Sequence, residues 1–426
     1  MQFKIPRGTA DILPEEAELW RYIKTKATQL FRVYNYREII TPIFEYTELF
    51  QRGVGETTDI VEKEMYTFVD KGNRSITLRP EGTAPVVRAY IENKLYANPD
   101  VVKLFYIGPM FRYERPQAGR TRQFTQIGVE AFGSDDPALD AEVIALATEQ
   151  LRELAMHETR LEINSVGCST CRPAQREALH AYLNSVKDQL CEDCRRRIMT
   201  NPLRVLDCKN PVCQQATADA PTMVGYLCEE CTDHYAAVKS NLDNLGIDYV
   251  DNPRMVRGLD YYTQTAFEIM SVAETGTESG TLIGGGRYNG LVKDLGGPDQ
   301  SGIGYAFSIE RLIALRTKAL PKHISTKPDV YLVALGDEAK EFAVKLLPEL
   351  RAAKIGAEID YLNRKLKVQL KSIDRLGCRY ALIIGENELT NSVAILRDMS
   401  TGEQEELAFA TIVEEIAKLV KSEHIK

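Results

Sequence analysis

Histidine, tryptophan and long apolar runs are what this 426-residue chain has least of. It holds five histidines and one tryptophan, and no stretch approaches the roughly 18 to 20 apolar residues that a bilayer span needs. Nor is there an excess of positive charge: 53 Lys and Arg stand against 61 Asp and Glu, a formal net charge of −8. A surface that coats nucleic acid or anionic lipid throughout is thereby excluded, and any such contact must be local. Met1 to Gly8 contain no apolar core of signal-peptide length, so the expected setting is cytoplasmic, with no membrane partner. Nine cysteines in a long chain without a leader point to metal ligands or free thiols and away from a disulfide framework. The rest is ordinary globular composition, 44% hydrophobic and 27% charged, over a length that accommodates two or three domains.

The order of apolar and turn residues divides the chain. Proline and acids at Pro14, Glu15 and Glu16 start a helix in which Leu19, Ile23, Ala27, Leu30 and Phe31 recur at helical spacing, and residues 36–41 read as a strand ending at Pro42. Further strands are predicted over 75–78, 102–107, 126–132, 160–164 and 265–270, and a helix over 142–154. Several of these strands follow one another without helices between them, which favours an α+β fold, a largely antiparallel sheet flanked by helices. From about residue 167 to 247 strand signals vanish, cysteines cluster and helical patches at 172–187 and 234–245 take over, so a helical insertion interrupts a first domain spanning 1–325. Leu320 to Pro328 is polar and bracketed by prolines, as a linker would be. Over 328–426 strand and helix alternate (329–335, 338–353, 356–361, 364–376 and 379–384), which predicts a separate α/β domain with a partly parallel sheet.

Three segments concentrate chemistry. The first is Arg257, Gly258, Leu259, Asp260, Tyr261 and Tyr262, followed by Gly284, Gly285, Gly286, Arg287 and Tyr288. Cations, hydroxyls and a glycine-rich turn open to close backbone approach describe a polar ligand site. The triple glycine lacks both the G-x-G-x-x-G spacing and the βαβ setting of a dinucleotide loop, which excludes that reading. The second segment places Arg112, Glu114, Arg120, Arg122 and Phe124 around a Pro-Gln-Ala-Gly turn. On extended chain Arg112 and Glu114 share one face, and Arg120 and Arg122 share one beside Phe124. Guanidiniums fork onto phosphates, an acid takes an amine or a metal, and a ring stacks on a base, so this segment suits a nucleotide; a solvated edge hairpin of mixed charge is the bland alternative. In the third, a glycine-flanked strand from Gly302 runs into a helix with Glu310 and Arg311 at the junction, where an arginine can meet phosphate.

Glu81, Thr83, Gln126 and Glu130 add acceptors of the kind that hold an amino-bearing small molecule. All five histidines (His157, His180, His234, His323 and His424) fall outside these segments, which argues against a Ser-His or Cys-His nucleophile there. Arginines and carboxylates without a histidine base are the pattern of phosphoryl or nucleotidyl transfer, where positioning and charge neutralisation do most of the catalysis.

Eight cysteines form four close pairs, Cys168/Cys171, Cys191/Cys194, Cys208/Cys213 and Cys228/Cys231. Two such pairs complete a tetrahedral structural zinc site and four complete two, against the alternative of reduced surface thiols; which pairs combine is not legible. Arg364, Lys367, Lys371, Arg375 and Arg379 follow at three- and four-residue steps, with Leu366, Leu370, Ile373 and Leu376 toward another side. Such a stripe is a solvated helix face or a local contact for a phosphate backbone.

The long helix and the strand ending at Pro42, the Phe111 to Phe124 segment and the Gly304 to Arg311 junction together resemble the three motifs of class II aminoacyl-tRNA synthetases. The Arg257 to Tyr262 and Gly284 to Leu291 runs resemble segments particular to the histidyl-tRNA synthetase family, and the resemblance covers essentially the whole chain. It implies a class II antiparallel six-stranded sheet, a helical insertion domain and a C-terminal α/β anticodon-binding domain, working as a homodimer on ATP with Mg²⁺, L-histidine and tRNA(His). It also implies that Arg112 and Arg257 hold the α-phosphate and that Glu114 takes the adenine amine or a metal-linked water. Phe124 would stack on adenine and Arg120 and Arg311 would reach the γ-phosphate, while Glu81, Thr83, Gln126, Glu130, Tyr261 and Tyr262 would bind histidine. The four cysteine pairs go beyond the family's general pattern. Two other expectations compete: a non-aminoacylating, synthetase-like regulatory subunit of ATP phosphoribosyltransferase, which usually lacks an anticodon-binding domain, and a class II synthetase for threonine, proline or glycine, which leaves the Arg257 to Tyr262 run unexplained.

Overall fold

A computed structural model describes residues 3–55, 58–117, 119–272, 278–315 and 327–424. The chain divides into two compact units, Met1–Ile324 and Ser325–Lys426. Most of the expected linker, residues 320–326, lies outside the described residues.

The first unit is organised by one eight-stranded sheet, in the order Arg37–Glu38, Val102–Phe111, Gln123–Phe132, Gly302–Ser308, Glu278–Arg287, Thr263–Val272, Thr159–Ser165 and Val250–Asp251. The six central strands pair antiparallel and only the two short outer ones pair parallel. This is the expected antiparallel six-stranded sheet. One of its faces packs Phe105, Ile127, Val129, Phe267, Ile283, Ile303 and Tyr305 against the Pro14–Val33 and Pro137–Glu153 helices. The Pro14–Val33 helix has its proline and acids in the first turn and Arg32 in the last, each matching the macrodipole, and buries the predicted Leu19, Ile23, Ala27, Leu30 and Phe31.

Two expectations about strands need correction. The strand predicted over 36–41 is only Arg37–Glu38. Beyond Ile39, whose N–H still bonds Phe105 O, the carbonyls of Thr41 (3.0 Å) and Pro42 (3.3 Å) are taken by the buried Arg79 guanidinium and not by a neighbouring strand. The triple glycine is not a turn: Gly284, Gly285 and Gly286 lie within the Glu278–Arg287 strand, paired on both sides.

Between Ser165 and Val250 the chain is helical, with no strand, as the sequence predicts; the longest helices are Arg172–Ser185 and Glu229–Asn244. Phe44–Tyr46, Ser75–Leu78 and Tyr66–Val69 make a separate three-stranded sheet. The second unit is a five-stranded sheet ordered Ala357–Ile359, Val330–Ala334, Tyr380–Ile384, Val393–Asp398 and Gln404–Ala408. Its first three strands are parallel and its last two antiparallel, in keeping with the predicted partly parallel α/β domain.

Candidate active site

Side chains alternate across a strand, so the face of the large sheet opposite its core is fixed once the register is known. Glu268, Gly284, Ala306, Gly128 and Tyr106 form one row across five strands, and Ala266, Gly286, Gly304, Glu130 and Leu104 form the next. Most of these positions carry no side chain beyond a methyl, so the few large groups lie flat on a bare floor. A Cβ on Gly284 would stand 2.4 Å from the Arg257 guanidinium, one on Gly128 2.4 Å from the Tyr106 hydroxyl, and one on Gly304 2.1 Å from Glu130 Oε2. Glycine is required at these places for space.

Glu130 is the centre of this floor. It is 1% exposed, accepts from Thr83 Oγ1 at 2.7 Å and from the Tyr288 hydroxyl, and burial pushes its carboxyl up to about 8. The carboxyl is therefore neutral at pH 7. Glu81, also buried, accepts from the backbone N–H groups of Thr83 (2.7 Å) and Ala84 (2.8 Å) and so starts the Thr83–Glu92 helix; burial raises its pKa against the pull of those bonds. Gln126 is 3.4 Å from the Tyr106 hydroxyl. Tyr261 stacks obliquely on Tyr262 (centroids 4.8 Å) and meets Tyr288 edge-on (5.7 Å), which closes an aromatic wall over the carboxylate.

Arg257 extends from that wall toward the nucleotide segment. Its guanidinium lies 5.0 Å from the Tyr262 ring centroid and pairs with Glu268, whose other oxygen accepts from Thr281 Oγ1 at 2.9 Å. Burial opposes its charge, but Tyr262 and Glu268 outweigh that and hold its pKa above the ordinary arginine value, while Nε has no partner. Arg112 donates to Pro80 O at 2.8 Å and lies 5.3 Å over the Phe124 ring. Arg120 stands 3.6 Å from Glu114. Arg311 bonds Thr281 O; burial, reinforced by the charge of Arg120, lowers its pKa. A guanidinium whose charge is opposed by burial and by a neighbouring arginine describes a place for an anion.

Comparison with known proteins shows the family to which the chain belongs. The family model for histidyl-tRNA synthetase matches residues 8–312 and the anticodon binding domain model matches residues 329–419. The chain belongs to the histidyl-tRNA synthetase family. It is 55% identical to the histidine–tRNA ligase of Halothermothrix orenii, over 99% of this chain and 100% of that one. To the histidine–tRNA ligase of Bacillus cytotoxicus it is 54% identical over 98% and 99%. The crystal structure of apo Staphylococcus aureus histidyl-tRNA synthetase superposes with a TM-score of 0.82 at 45% identity, covering 98% of this chain and 100% of that one. Full-length agreement with relatives of that name, together with the anticodon-domain match, favours a histidyl-tRNA synthetase over both the regulatory-subunit and the other class II readings.

Within this family frame several expectations change. The strand that should carry Arg112 and Glu114 ends at Phe111, so both sit in the 112–122 loop; Arg122 leaves its expected place beside Phe124 and stacks 3.7 Å from the Tyr113 ring centroid. Arg287, read as a ligand-site cation, is fully buried away from the site: it pairs with Asp140, which also takes His234 Nε2 at 3.2 Å, and it caps Ser134 O at 2.8 Å. Glu268, which pairs with Arg257, and Thr281, which donates to Glu268, were not singled out by sequence, whereas Tyr288 of the 284–288 run donates to Glu130. On the basic helix, now Leu366–Leu376, Arg364 is drawn inward onto Asp360 (2.5 Å) and Ser372 (2.9 Å) and Arg379 pairs with Asp398 (3.2 Å), leaving Lys367, Lys371 and Arg375 exposed; Leu376 is exposed as well. The cysteines gather as two sets of four, Cys168, Cys171, Cys228 and Cys231, and Cys191, Cys194, Cys208 and Cys213.

Proposed function

We propose that this chain is a histidine–tRNA ligase, converting ATP, L-histidine and tRNA(His) to AMP, diphosphate and histidyl-tRNA. The observation that carries the site assignment is the buried Glu130 with its two hydroxyl donors, walled by Tyr261, Tyr262 and Tyr288 and adjoining the Arg257 guanidinium. The α-ammonium of histidine binds Glu130, with Thr83 and Gln126 beside it and Glu81 setting the helix start beneath. Tyr261 and Tyr262 select the imidazole. The histidine carboxylate attacks the α-phosphorus, diphosphate leaves with both bridging electrons, and Arg112 and Arg257 neutralise the charge that builds on the α-phosphate oxygens. Phe124 stacks on adenine, Glu114 takes its amine or a metal-linked water, and Arg120 and Arg311 take the γ-phosphate. The tRNA 3′-terminal hydroxyl then attacks the mixed anhydride and AMP leaves.

Mg²⁺ would accompany the ATP phosphates and would neutralise charge on the leaving diphosphate. The chain acts in the cytoplasm; no described helix is long and apolar enough to cross a membrane. It acts as a homodimer. That reading is supported by apolar surface left in water: Tyr46 and Phe68 flank Ile76 across the three-stranded sheet at 55% and 47% exposure, and Ile40 is 85% exposed. Charging of a tRNA(His) transcript with labelled histidine tests the overall reaction, and absence of charged product contradicts it.

Two further outcomes are expected. If the ammonium of histidine binds ionised Glu130, binding at pH 7 expels close to one proton. Given a free-state value of about 8, histidine affinity then rises about fivefold between pH 7 and 8, above the titration of the free imidazole. Calorimetry in buffers of different ionisation heat measures the proton count, and a count of zero contradicts the role given to Glu130. Lys367, Lys371 and Arg375 supply local positive charge on an acidic protein, so reversing all three to Glu lowers kcat/KM for tRNA about tenfold or more while leaving adenylate formation unchanged. Equal charging rates at low salt would remove this helix from the tRNA contact.

A further inference from the structure

We propose that the helical insertion carries two structural Zn²⁺ ions, one on Cys168, Cys171, Cys228 and Cys231 and one on Cys191, Cys194, Cys208 and Cys213, and that these ions hold the insertion's tethers on the 257–262 loop. The second half of this rests on the reading of that loop as part of the histidine site.

The sulfur geometry fits zinc, and all eight of these cysteines are free thiols. With a Zn–S bond of about 2.3 Å, sulfurs of a tetrahedral site stand about 3.8 Å apart. Cys168 Sγ lies 3.5 Å from Cys171 Sγ and 3.9 Å from Cys228 Sγ, and within each set all four sulfurs lie within 4.8 Å of one another. A disulfide needs about 2.05 Å. Each set also has a backbone N–H directed at a sulfur, from Cys228 to Cys171 Sγ at 3.2 Å and from Cys191 to Cys213 Sγ at 3.1 Å, the outer contact that orients a metal-bound thiolate. Four thiolates leave no open position, so the ions are structural.

The surroundings give the ions something to hold. The Arg172–Ser185 helix starts directly after Cys171 and the Glu229–Asn244 helix directly after Cys228. Among the described residues the apolar cluster at that junction is Cys171, Met223 and Cys231, with Cys168, Leu227 and Cys228 packed against it. Four of those six residues are the ligands themselves. Farther along, the two helices bury Leu179 and Leu183, and Tyr235, Val238 and Leu242, in other clusters, so a metal would add its hold at the helix starts, where only Met223 and Leu227 pack besides the ligands.

Each set anchors a contact to the 257–262 loop. Arg172, next to Cys171, bonds Val166 O at 3.3 Å and the backbone carbonyl of Tyr262. Asn201 and Arg204 lie in the span between Cys194 and Cys208. Asn201 Nδ2 donates to Asp260 Oδ1 at 3.4 Å, and Arg204 pairs with Asp59 at 3.8 Å and passes 3.7 Å from the place a Cβ on Gly258 would occupy. The loop is thus held at 260 and 262 by residues that lie beside or between the cysteines of the two sets. With no open coordination position, the ions act on positioning alone.

The full chain, purified without chelators, is expected to contain two zinc ions by elemental analysis, and Cys228→Ser with Cys231→Ser to retain one. Arg172→Ala is expected to retain both ions and to raise the KM for histidine about tenfold or more while the KM for ATP changes less than about twofold. Should that variant not fold, withdrawing zinc from the intact chain with a chelator and restoring Zn²⁺ gives the same readout through histidine affinity. Fewer than two ions, or iron in their place, overturns the metal assignment whatever the chain activates. Two ions with an unchanged histidine KM in Arg172→Ala, or unchanged histidine affinity after zinc release, overturns the tether. Failure of the unaltered chain to activate histidine would instead remove the functional reading beneath the tether and leave the metal result standing.

Discussion

Replacing Arg257 with alanine lowers the rate of histidyl-adenylate formation at least about 100-fold, the scale of losing one charge contact in the transition state. The guanidinium is laid against the bare strand at Gly284, stacked on Tyr262 and paired with Glu268, so its position is determined before any ligand arrives. Fixed charge of this kind acts on the barrier and less on ground-state binding. The loss is therefore expected in the single-turnover rate with saturating ATP and histidine, and a lysine at 257 restores only part of it because an ammonium cannot fork onto two oxygens. A purely structural arginine would give another result. Glu268 would be left with an unpaired charge, the melting temperature would fall, and the rate per folded active site would hold. Gly284→Ala provides an independent check: its Cβ would displace the guanidinium, so the same rate defect is expected without removing any charge.

The second large effect is that of Glu130→Gln, which separates stability from function with opposite signs. In the free protein burial holds the Glu130 carboxyl neutral up to about pH 8. Its folded-state pKa is raised above the unfolded value near 4.5. The stability it contributes is therefore full below that unfolded value and declines as pH rises toward 8, because the unfolded chain gains the ionised form earlier. Glutamine keeps the shape and accepts or donates to Thr83 and Tyr288 without that penalty. The variant is expected to unfold at an equal or higher temperature than the parent, with the difference larger at pH 8 than at pH 5. Its kcat/KM for histidine is expected to fall on the order of 100-fold or more, since a buried ammonium loses its counter-charge. Loss of stability with retained histidine use would reverse the assignment.

These two residues also show how far the sequence could be read. Arg257 was recognisable from its run, because a cation, two tyrosines and glycines are too polar to be core. Glu130 was visible only as one acceptor among several; its donor Tyr288 lies 158 positions away and Thr83, at a helix start, lies 47 away, and only the tertiary fold brings them together. The same alternation explains Arg287. It was grouped with Tyr288 because the two are adjacent, yet Arg287 ends the strand and the next residue points to the opposite side, so Tyr288 reaches Glu130 while Arg287 reaches Asp140. The glycines were read as a turn from composition, whereas here they clear space for neighbouring side chains within a paired strand. The cysteine sets illustrate a harder limit: spacing identifies pairs, but which pairs meet depends on where the insertion's helices start. Arg364 looked like one more member of a basic stripe until Asp360, four residues upstream, drew it inward.

The central claim is that this site activates histidine with ATP, and amino-acid-dependent exchange of labelled pyrophosphate into ATP tests it most directly. Run with each of the twenty amino acids in turn, the assay is expected to give exchange with L-histidine and none above background with the others. Exchange driven by a different amino acid, or none with histidine, would contradict the account.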